Sequence, residues 1–150
     1  MISCTEFIPV YSELFCFLHE KGGKEEVVRF WEELADEFLG NLRTLAQEKG
    51  LAGCFEYWSR TLTEEAADFT MTLDEDEGWF RIDMHKCPSM GMLLELAHIK
   101  PYENYCEHCA VLYPRILEPL GFECESKVTD PGKPSCFIKV TRKKADPARK

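Results

Sequence analysis

Thiol and imidazole side chains cluster in one stretch of the sequence, "DMHKCPSMGMLLELAHIKPYENYCEHC". Two of them stand at the end of a predicted strand, His85 and Cys87, and three stand at the start of a predicted helix, Cys106, His108 and Cys109. Such side chains bind metal ions and also act as acids, bases and nucleophiles. The stretch therefore predicts a metal site or a catalytic site, with a thiol-rich core as the alternative.

The Cys-x-x-Cys pair belongs to an apolar stripe at helical spacing, which consists of Tyr102, Tyr105, Cys106, Cys109, Leu112, Tyr113 and Ile116. Both thiols should therefore point inward, one helical turn apart. His108 falls off this stripe and is expected to face solvent. The spacing thus favours Cys106 and Cys109 over His108 as ligands.

The preceding strand is expected to supply the other ligands. Alternation gives it two faces, one with Phe80, Ile82 and Met84 and the other with Asp83, His85 and Cys87. The set His85, Cys87, Cys106 and Cys109 suits tetrahedral Zn²⁺ first and an iron–sulfur cluster second. Its N and S atoms would then lie within about 4 Å of one another. A redox thiol pair and buried thiols without a cofactor are the alternatives.

The polar strand face also carries the expected catalytic residues. His85 is the natural general acid or base if it is not a ligand, and Asp83 would orient it unless Asp83 is merely a solvated strand residue. Cys87 supplies a thiol to the same group. Two residues are expected to contact a substrate: Cys136, which opens the last strand beside a turn, and Tyr105 on the inward helical stripe.

Composition limits the classes of protein and partner. The chain has 150 residues, of which 45% are hydrophobic, and this is enough for a globular core. A net charge of −9 argues against nucleic acid or an anionic membrane surface as the main partner. The sequence shows neither a signal-peptide pattern nor an apolar run long enough for a membrane span, so a cytoplasmic location with mostly reduced cysteines is expected.

Hydrophobic periodicity predicts a helical first half. One amphipathic helix should run from Thr5 to about Lys21 and end at the Gly22-Gly23 pair. A longer helix should follow and stop at Gly50, and a third should carry Cys54 through Leu62. These aromatic helices either complete the protein's own core or form the face of a homodimer.

The second half alternates in the manner of strands. "DFTMTL" and "WFRIDMHKC" should pair as a hairpin, and "FECESKV" and "SCFIKV" should form two more strands. Between them "SMGMLLELAHI" predicts a short helix, and "YENYCEHCAVLYPRILEPL" predicts a helix that Pro114 kinks or breaks. We therefore expect an α+β fold in a single domain over residues 1–150: a helical part (1–65), a mixed part with an antiparallel sheet of about four strands (66–141) and a frayed basic tail (142–150).

Short motifs in the mixed part resemble a known family. Cys87-Pro88, Tyr105-Cys106, "EPLGFE" and "DPGKPSCFIKV" are similar to the L-2-amino-thiazoline-4-carboxylic acid hydrolase family and to related small-molecule-binding domains named after four-vinyl reductase. The resemblance implies a cysteine-lined pocket with matches at Cys87, Cys106 and Cys136, and ring-opening hydrolysis of a small sulfur heterocycle. The family more often has Asp where this chain has Cys109, which favours a metal site and weakens the case for the hydrolase.

Two functional hypotheses follow. The first is a thiol- or metal-dependent hydrolase that opens a C–N or C–S bond of a small heterocycle. The second is a sensor or carrier that binds a small molecule or metal without turnover, because the sequence contains no complete catalytic triad, P-loop or dinucleotide fingerprint. The carboxylates of "EEAADF" and "LDEDEG" are expected to be solvated and receive no role.

Overall fold

Three helices form the first half of the protein. The computed structural model describes residues 4–65, 67–130 and 132–143, and it contains α1 (Cys4–Phe38), α2 (Gly40–Lys49) and α3 (Leu51–Glu64). The predicted end of the first helix at the glycine pair is a kink inside α1, where Gly23 adopts φ 71°. That left-handed conformation favours glycine, so the chain changes direction there without a separate loop.

The second half contains the sheet and two further helices. Its elements are β1 (Asp68–Asp74), β2 (Trp79–Lys86), α4 (Pro88–Glu95), α5 (His108–Leu117), β3 (Phe122–Asp130) and β4 (Ser135–Arg142). The strands form one antiparallel sheet in the order β1-β2-β4-β3. The predicted α+β class, with a helical N-terminal half and a four-stranded antiparallel sheet, is confirmed. Residues 144–150 of the predicted basic tail lie outside the described residues.

The sheet has two faces of different character. We call the helix-covered side the inner face; on the two central strands it consists of Phe80, Ile82, Met84, Cys136, Ile138 and Val140. We call the opposite side the outer face; on the same strands it carries Arg81, Asp83, His85, Phe137 and Lys139. Strand alternation therefore separates apolar from charged residues as predicted.

Large aromatic side chains fix the helices over the inner face. Trp58 of α3 stacks on Phe80 of β2 with their ring centroids 5.6 Å apart, and Tyr113 of α5 meets Trp58 edge-on at 5.0 Å. Phe15 and Trp31, on the two segments of α1, are fully buried and pack against each other. Burial of this aromatic surface anchors α3 and α5 to the sheet and so places the start of α5 above the end of β2.

Several helix boundaries differ from the predicted ones. The second predicted helix, expected to run without a break to Gly50, is divided at Leu39 between α1 and α2. The short helix after β2 ends at Glu95, well before Pro101, because Leu96, with φ −89° and ψ 83°, leaves the helical conformation. Of the two predicted effects of Pro114, a kink or a break, the break is wrong, since α5 continues through Pro114 to Leu117. Proline removes one backbone hydrogen bond, but Ile116 and Leu117 are buried on the far side of it and hold the last turn in place.

None of the described helices is both long and apolar enough to cross a membrane.

Candidate functional site: a thiol-lined cavity

A cavity of about 480 Å³ lies between the inner face of the sheet and the helices that cover it. Four cysteines from three different parts of the chain line it: Cys87, Cys106, Cys109 and Cys136. The rest of the wall is largely apolar and aromatic, and includes Trp58, Leu62, Ile82, Met84, Met90, Tyr105, Tyr113 and Ile138. Cys87 and Cys136 are 49 positions apart in the sequence, and the fold brings all four thiols to the wall of one cavity.

Cys87 reaches the cavity because β2 ends one residue before it. The residue caps the start of α4 with φ −61° and ψ 125°, and its backbone N–H donates to the carbonyl oxygen of Pro134 at 2.7 Å. That hydrogen bond ties the start of α4 to the loop before β4. Cys87 therefore leaves the alternation of the strand, and the prediction that it shares a face with His85 is wrong.

The expected positions of four other residues agree with the structure. Cys106 lies in a short 3-10 turn (Tyr105–Glu107), Cys109 lies in the first turn of α5, and both line the cavity as the inward stripe predicts. Cys136 is the second residue of β4 and borders the cavity. The buried side chain of Tyr105 also borders it. These four residues therefore line one cavity.

His85 and Asp83 lie on the outer face, away from the cavity. His85 is exposed, and its Nε2 atom is 2.8 Å from the hydroxyl of Thr70. The Asp83 carboxylate accepts three hydrogen bonds from Arg81 at 2.6 to 2.9 Å, which hold the pKa of Asp83 below its usual value. The guanidinium, rather than the imidazole, is therefore the partner of Asp83.

The predicted set of metal ligands is not gathered in one place. Cys87, Cys106 and Cys109 line the cavity, whereas His85 lies on the other side of the sheet. Within residues 4–65, 67–130 and 132–143, no three His, Cys, Asp or Glu side chains converge closely enough to hold a metal ion. The donor set His85, Cys87, Cys106 and Cys109 therefore does not fit a single ion.

His108 lines the cavity, and the prediction that it faces solvent is wrong. Its Nδ1 atom is hydrogen-bonded to the carbonyl oxygen of Tyr105, and its Nε2 atom lies 3.4 Å from the Cys109 sulfur. The chain from Tyr105 to Glu107 is a 3-10 turn, and α5 begins only at His108. A helical stripe drawn from Tyr102 onward assumes a constant angle per residue, so it places His108 on the wrong side.

Burial keeps the thiols of the cavity in their neutral form. It raises the pKa of Cys106 to about 11 and the pKa values of Cys109 and Cys136 to about 12. Burial also raises the pKa of Cys87, although the backbone N–H groups of Met90 and Ser89 act in the opposite direction. In addition, a negative charge on any one of these thiols would raise the pKa of its neighbours. At neutral pH the wall therefore presents S–H groups, which need a base to become nucleophiles.

Charged side chains stand at the rim of the cavity. Glu65, Lys127 and Lys133 contribute to its lining. The pKa of Glu65 is raised by burial first and by the neighbouring Glu64 second. The sequence interpretation gave no role to the carboxylates of "EEAADF", because no local pattern separates Glu65 from its neighbours. Glu65 reaches the cavity because the fold places the residue just beyond the last turn of α3 beside it.

Comparisons of the chain with family models, with curated proteins and with solved structures found no match. The resemblance to the thiazoline-carboxylate hydrolases therefore stays a prediction from short motifs.

Proposed function

We propose that the protein binds a small organic molecule in the thiol-lined cavity and hydrolyses a C–N or C–S bond within it. The observation that carries the proposal is the cavity itself. Its volume of about 480 Å³ falls within the range of roughly 300–1,000 Å³ that is typical of small-molecule sites. A mainly apolar wall with a few polar groups is also typical of such sites.

The cavity offers the groups that ring opening needs. Hydrolysis at an amidine-like carbon requires a nucleophile for that carbon and a proton for the departing nitrogen or sulfur. Thiols can supply the nucleophile, and the imidazole of His108 or the carboxyl of Glu65 can carry the proton. The similarity of Cys87, Cys106 and Cys136 to the thiazoline-carboxylate hydrolase pattern supports a small sulfur heterocycle as the substrate.

This proposal uses no metal ion in any step. A zinc-bound water would need three protein ligands around one point, and the described His, Cys, Asp and Glu side chains do not provide them. The expected roles of His85 and Asp83 are also not part of the proposal, because both lie on the outer face.

A second candidate function is binding without turnover, as in a carrier or sensor. The observation that favours it is the raised pKa of every thiol in the wall, because a neutral thiol is a weak nucleophile. A carrier needs only the shape and the apolar lining of the cavity. The two candidates differ in one measurable respect, which is the appearance of product.

The test combines binding and turnover with one cavity-filling variant. A panel of 2-aminothiazoline and thiazolidine carboxylates is added to the full chain, binding is followed by the fluorescence of Trp58 and the other tryptophans, and ring opening is followed by NMR. Cys136→Phe places a bulky ring in the cavity wall and should weaken binding at least about tenfold, equivalent to about 1.4 kcal/mol. The matched control is Thr72→Phe, which adds the same ring on the exposed side of β1.

Three outcomes separate the candidates. Ring-opened product that Cys136→Phe suppresses and Thr72→Phe does not supports the hydrolase. Binding that is sensitive to Cys136→Phe but gives no product supports the carrier. If Cys136→Phe and Thr72→Phe bind the panel as well as the unaltered chain does, the cavity is not the binding site and the proposal fails.

A further inference from the structure

We infer that Cys109 and His108 form a nucleophile–base pair in the cavity wall, which acts on small molecules that carry an acyl or amidine carbon. The inference rests on the proposed binding function of the cavity and adds the group that attacks the ligand. It assigns the catalytic roles to residues other than His85, Asp83 and Cys87, which the sequence predicts. The geometry that points to it consists of two hydrogen bonds of the His108 ring, one at each nitrogen.

The first hydrogen bond determines which nitrogen carries the proton. Nδ1 of His108 contacts the backbone carbonyl oxygen of Tyr105, and a carbonyl oxygen can only accept. The Nδ1 atom must therefore be the donor. In the neutral ring this leaves Nε2 with a free lone pair, and a backbone carbonyl thus plays the orienting part that a carboxylate plays in other catalytic sites.

The second hydrogen bond directs that lone pair at a thiol. Nε2 of His108 is 3.4 Å from the sulfur of Cys109, a distance suited to an S–H donor and a nitrogen acceptor. Among the described cysteines, Cys109 is the one whose sulfur has a hydrogen bond to an imidazole nitrogen. The other three thiols of the wall share the cavity but have no such base, so Cys109 is the thiol most easily activated.

Packing holds the ring of His108 in this orientation. The ring centroid lies 5.0 Å from that of Tyr105 and 6.3 Å from those of Tyr11, Phe15 and Trp31. These aromatic neighbours hold the ring in place, and His108 itself contributes to the lining of the cavity. Such a base is preorganised, because its rotamer is already selected before a ligand arrives.

Burial makes the resting pair neutral, with the proton on sulfur. The pKa of Cys109 is raised to about 12 by burial, and burial also lowers the pKa of His108. The thiolate would therefore form only during the reaction, as the proton moves to Nε2. This distinguishes the pair from a preformed thiolate–imidazolium pair and predicts low reactivity toward alkylating agents that provide no acyl carbon.

The reaction balances with water as the only co-reactant. The Cys109 sulfur attacks the acyl or amidine carbon, the S–H proton moves to Nε2, and the bond from that carbon to the leaving N, S or O atom breaks. The leaving group takes the proton from Nε2. In the second step Nε2 removes a proton from water, the water oxygen attacks the thioester or thioimidate carbon, the C–S bond breaks, and the Cys109 thiolate recovers the proton.

The inference is tested with p-nitrophenyl acetate as the probe. The full chain should release p-nitrophenolate in a burst, and mass spectrometry of the intact protein and its peptides should find one acetyl group on Cys109. Cys109→Ser should remove this acetyl group. His108→Asn should slow acetylation about a hundredfold, a typical contribution of a general base.

The choice of asparagine separates the base from a structural role. The side-chain amide of His108→Asn can still donate to the Tyr105 carbonyl, but it offers no basic atom to Cys109. Near-UV circular dichroism verifies that the variant keeps its packing. The matched controls are Cys16→Ser and His98→Gln, which change the same residue types outside the cavity and should acetylate Cys109 at the unaltered rate.

Each outcome has a definite meaning. Acetylation of Cys109 that falls with His108→Asn supports the pair. Acetylation spread over several thiols of the wall, or a folded His108→Asn variant that reacts at the unaltered rate, overturns the pair but leaves the cavity as a binding site. If no thiol of the wall is acetylated, the pair is overturned as well; whether the proposed binding function fails too is then decided by the thiazoline panel.

Discussion

The inner and outer faces of the sheet carry the same kinds of reactive side chain in opposite settings. On the outer face His85 is exposed and hydrogen-bonded to Thr70, and Asp83 is partly exposed and paired with Arg81. Above the inner face His108 and four thiols are enclosed by aromatic and aliphatic groups. Hydrogen bonds to Thr70 and Arg81 satisfy the outer residues, whereas burial keeps the inner residues neutral.

The contrast shows that residue type and spacing do not by themselves locate a site. Enclosure excludes water, strengthens each polar contact and shifts pKa values, and only the inner side offers it. On the outer face the guanidinium of Arg81 lies over the ring of Phe137 at 4.1 Å, while it also pairs with Asp83. The outer residues thus form a solvated network of modest energy, and the inner ones form a cavity that can hold a ligand.

The largest difference between the faces should appear in stability. Phe80 is fully buried on the inner face, so Phe80→Ala should lower the free energy of unfolding by about 3–5 kcal/mol through lost burial and the cavity that remains. Thr72→Ala on the outer face serves as the control and should change it by less than about 0.5 kcal/mol. Denaturant unfolding measures both. Comparable losses at the two positions would mean that the faces are not as different as the structure indicates.

A smaller effect is expected for the Arg81–Asp83 pair. Both side chains are partly exposed, so Asp83→Asn should cost about 0.2–1 kcal/mol at neutral pH. Arg81 lowers the pKa of Asp83 in the folded protein. Its stabilisation is therefore present above the unfolded pKa of about 4 and is lost as the pH falls through the lower folded value.

The pH dependence of unfolding measures this effect. The difference in stability between the unaltered chain and Asp83→Asn should shrink as the pH falls below about 4. A difference that stays constant down to the acid transition would contradict the assignment of the pair.

The smallest effect is expected for His85. This residue lies on the outer face with one exposed hydrogen bond, so His85→Ala should change stability by less than about 0.5 kcal/mol and leave ligand turnover unaltered. Elemental analysis of protein purified without air should give the same zinc and iron content for this variant as for the unaltered chain. Loss of a stoichiometric metal on this substitution would restore the ligand set that the sequence suggests.

Local patterns predicted the secondary structure well. The four strands follow from alternation, and the helix end predicted at the Gly22-Gly23 pair corresponds to a kink at Gly23 inside α1. The inward orientation of Cys106 and Cys109 also followed from helical spacing, because their stripe continues into the buried residues Leu112 and Ile116. These features depend on neighbours within a few positions along the chain, and such patterns are visible in a single sequence.

The candidate site was less predictable where its residues lie at the ends of a strand or a helix. His85 and Cys87 were wrongly placed on one face because the strand ends one residue earlier than predicted, at Lys86. The next residue, Cys87, donates its backbone N–H to the carbonyl oxygen of Pro134, and the chain leaves the strand there. The error for His108 came from a 3-10 turn before the helix. In both cases one residue of register moves a side chain from one side of an element to the other.

The sequence by itself determined the α+β class, the strand and helix order and the set of thiols available for chemistry, since these follow from composition and short-range periodicity. Only the tertiary structure decided which of those groups meet. It assembled Cys87, Cys109 and Cys136 in one wall, turned His108 toward Cys109 and left His85 with Thr70 in solvent. The physical reason is that a site depends on the long-range packing of helices against a sheet and on the desolvation that this packing produces. Neither can be predicted from a short segment of the sequence.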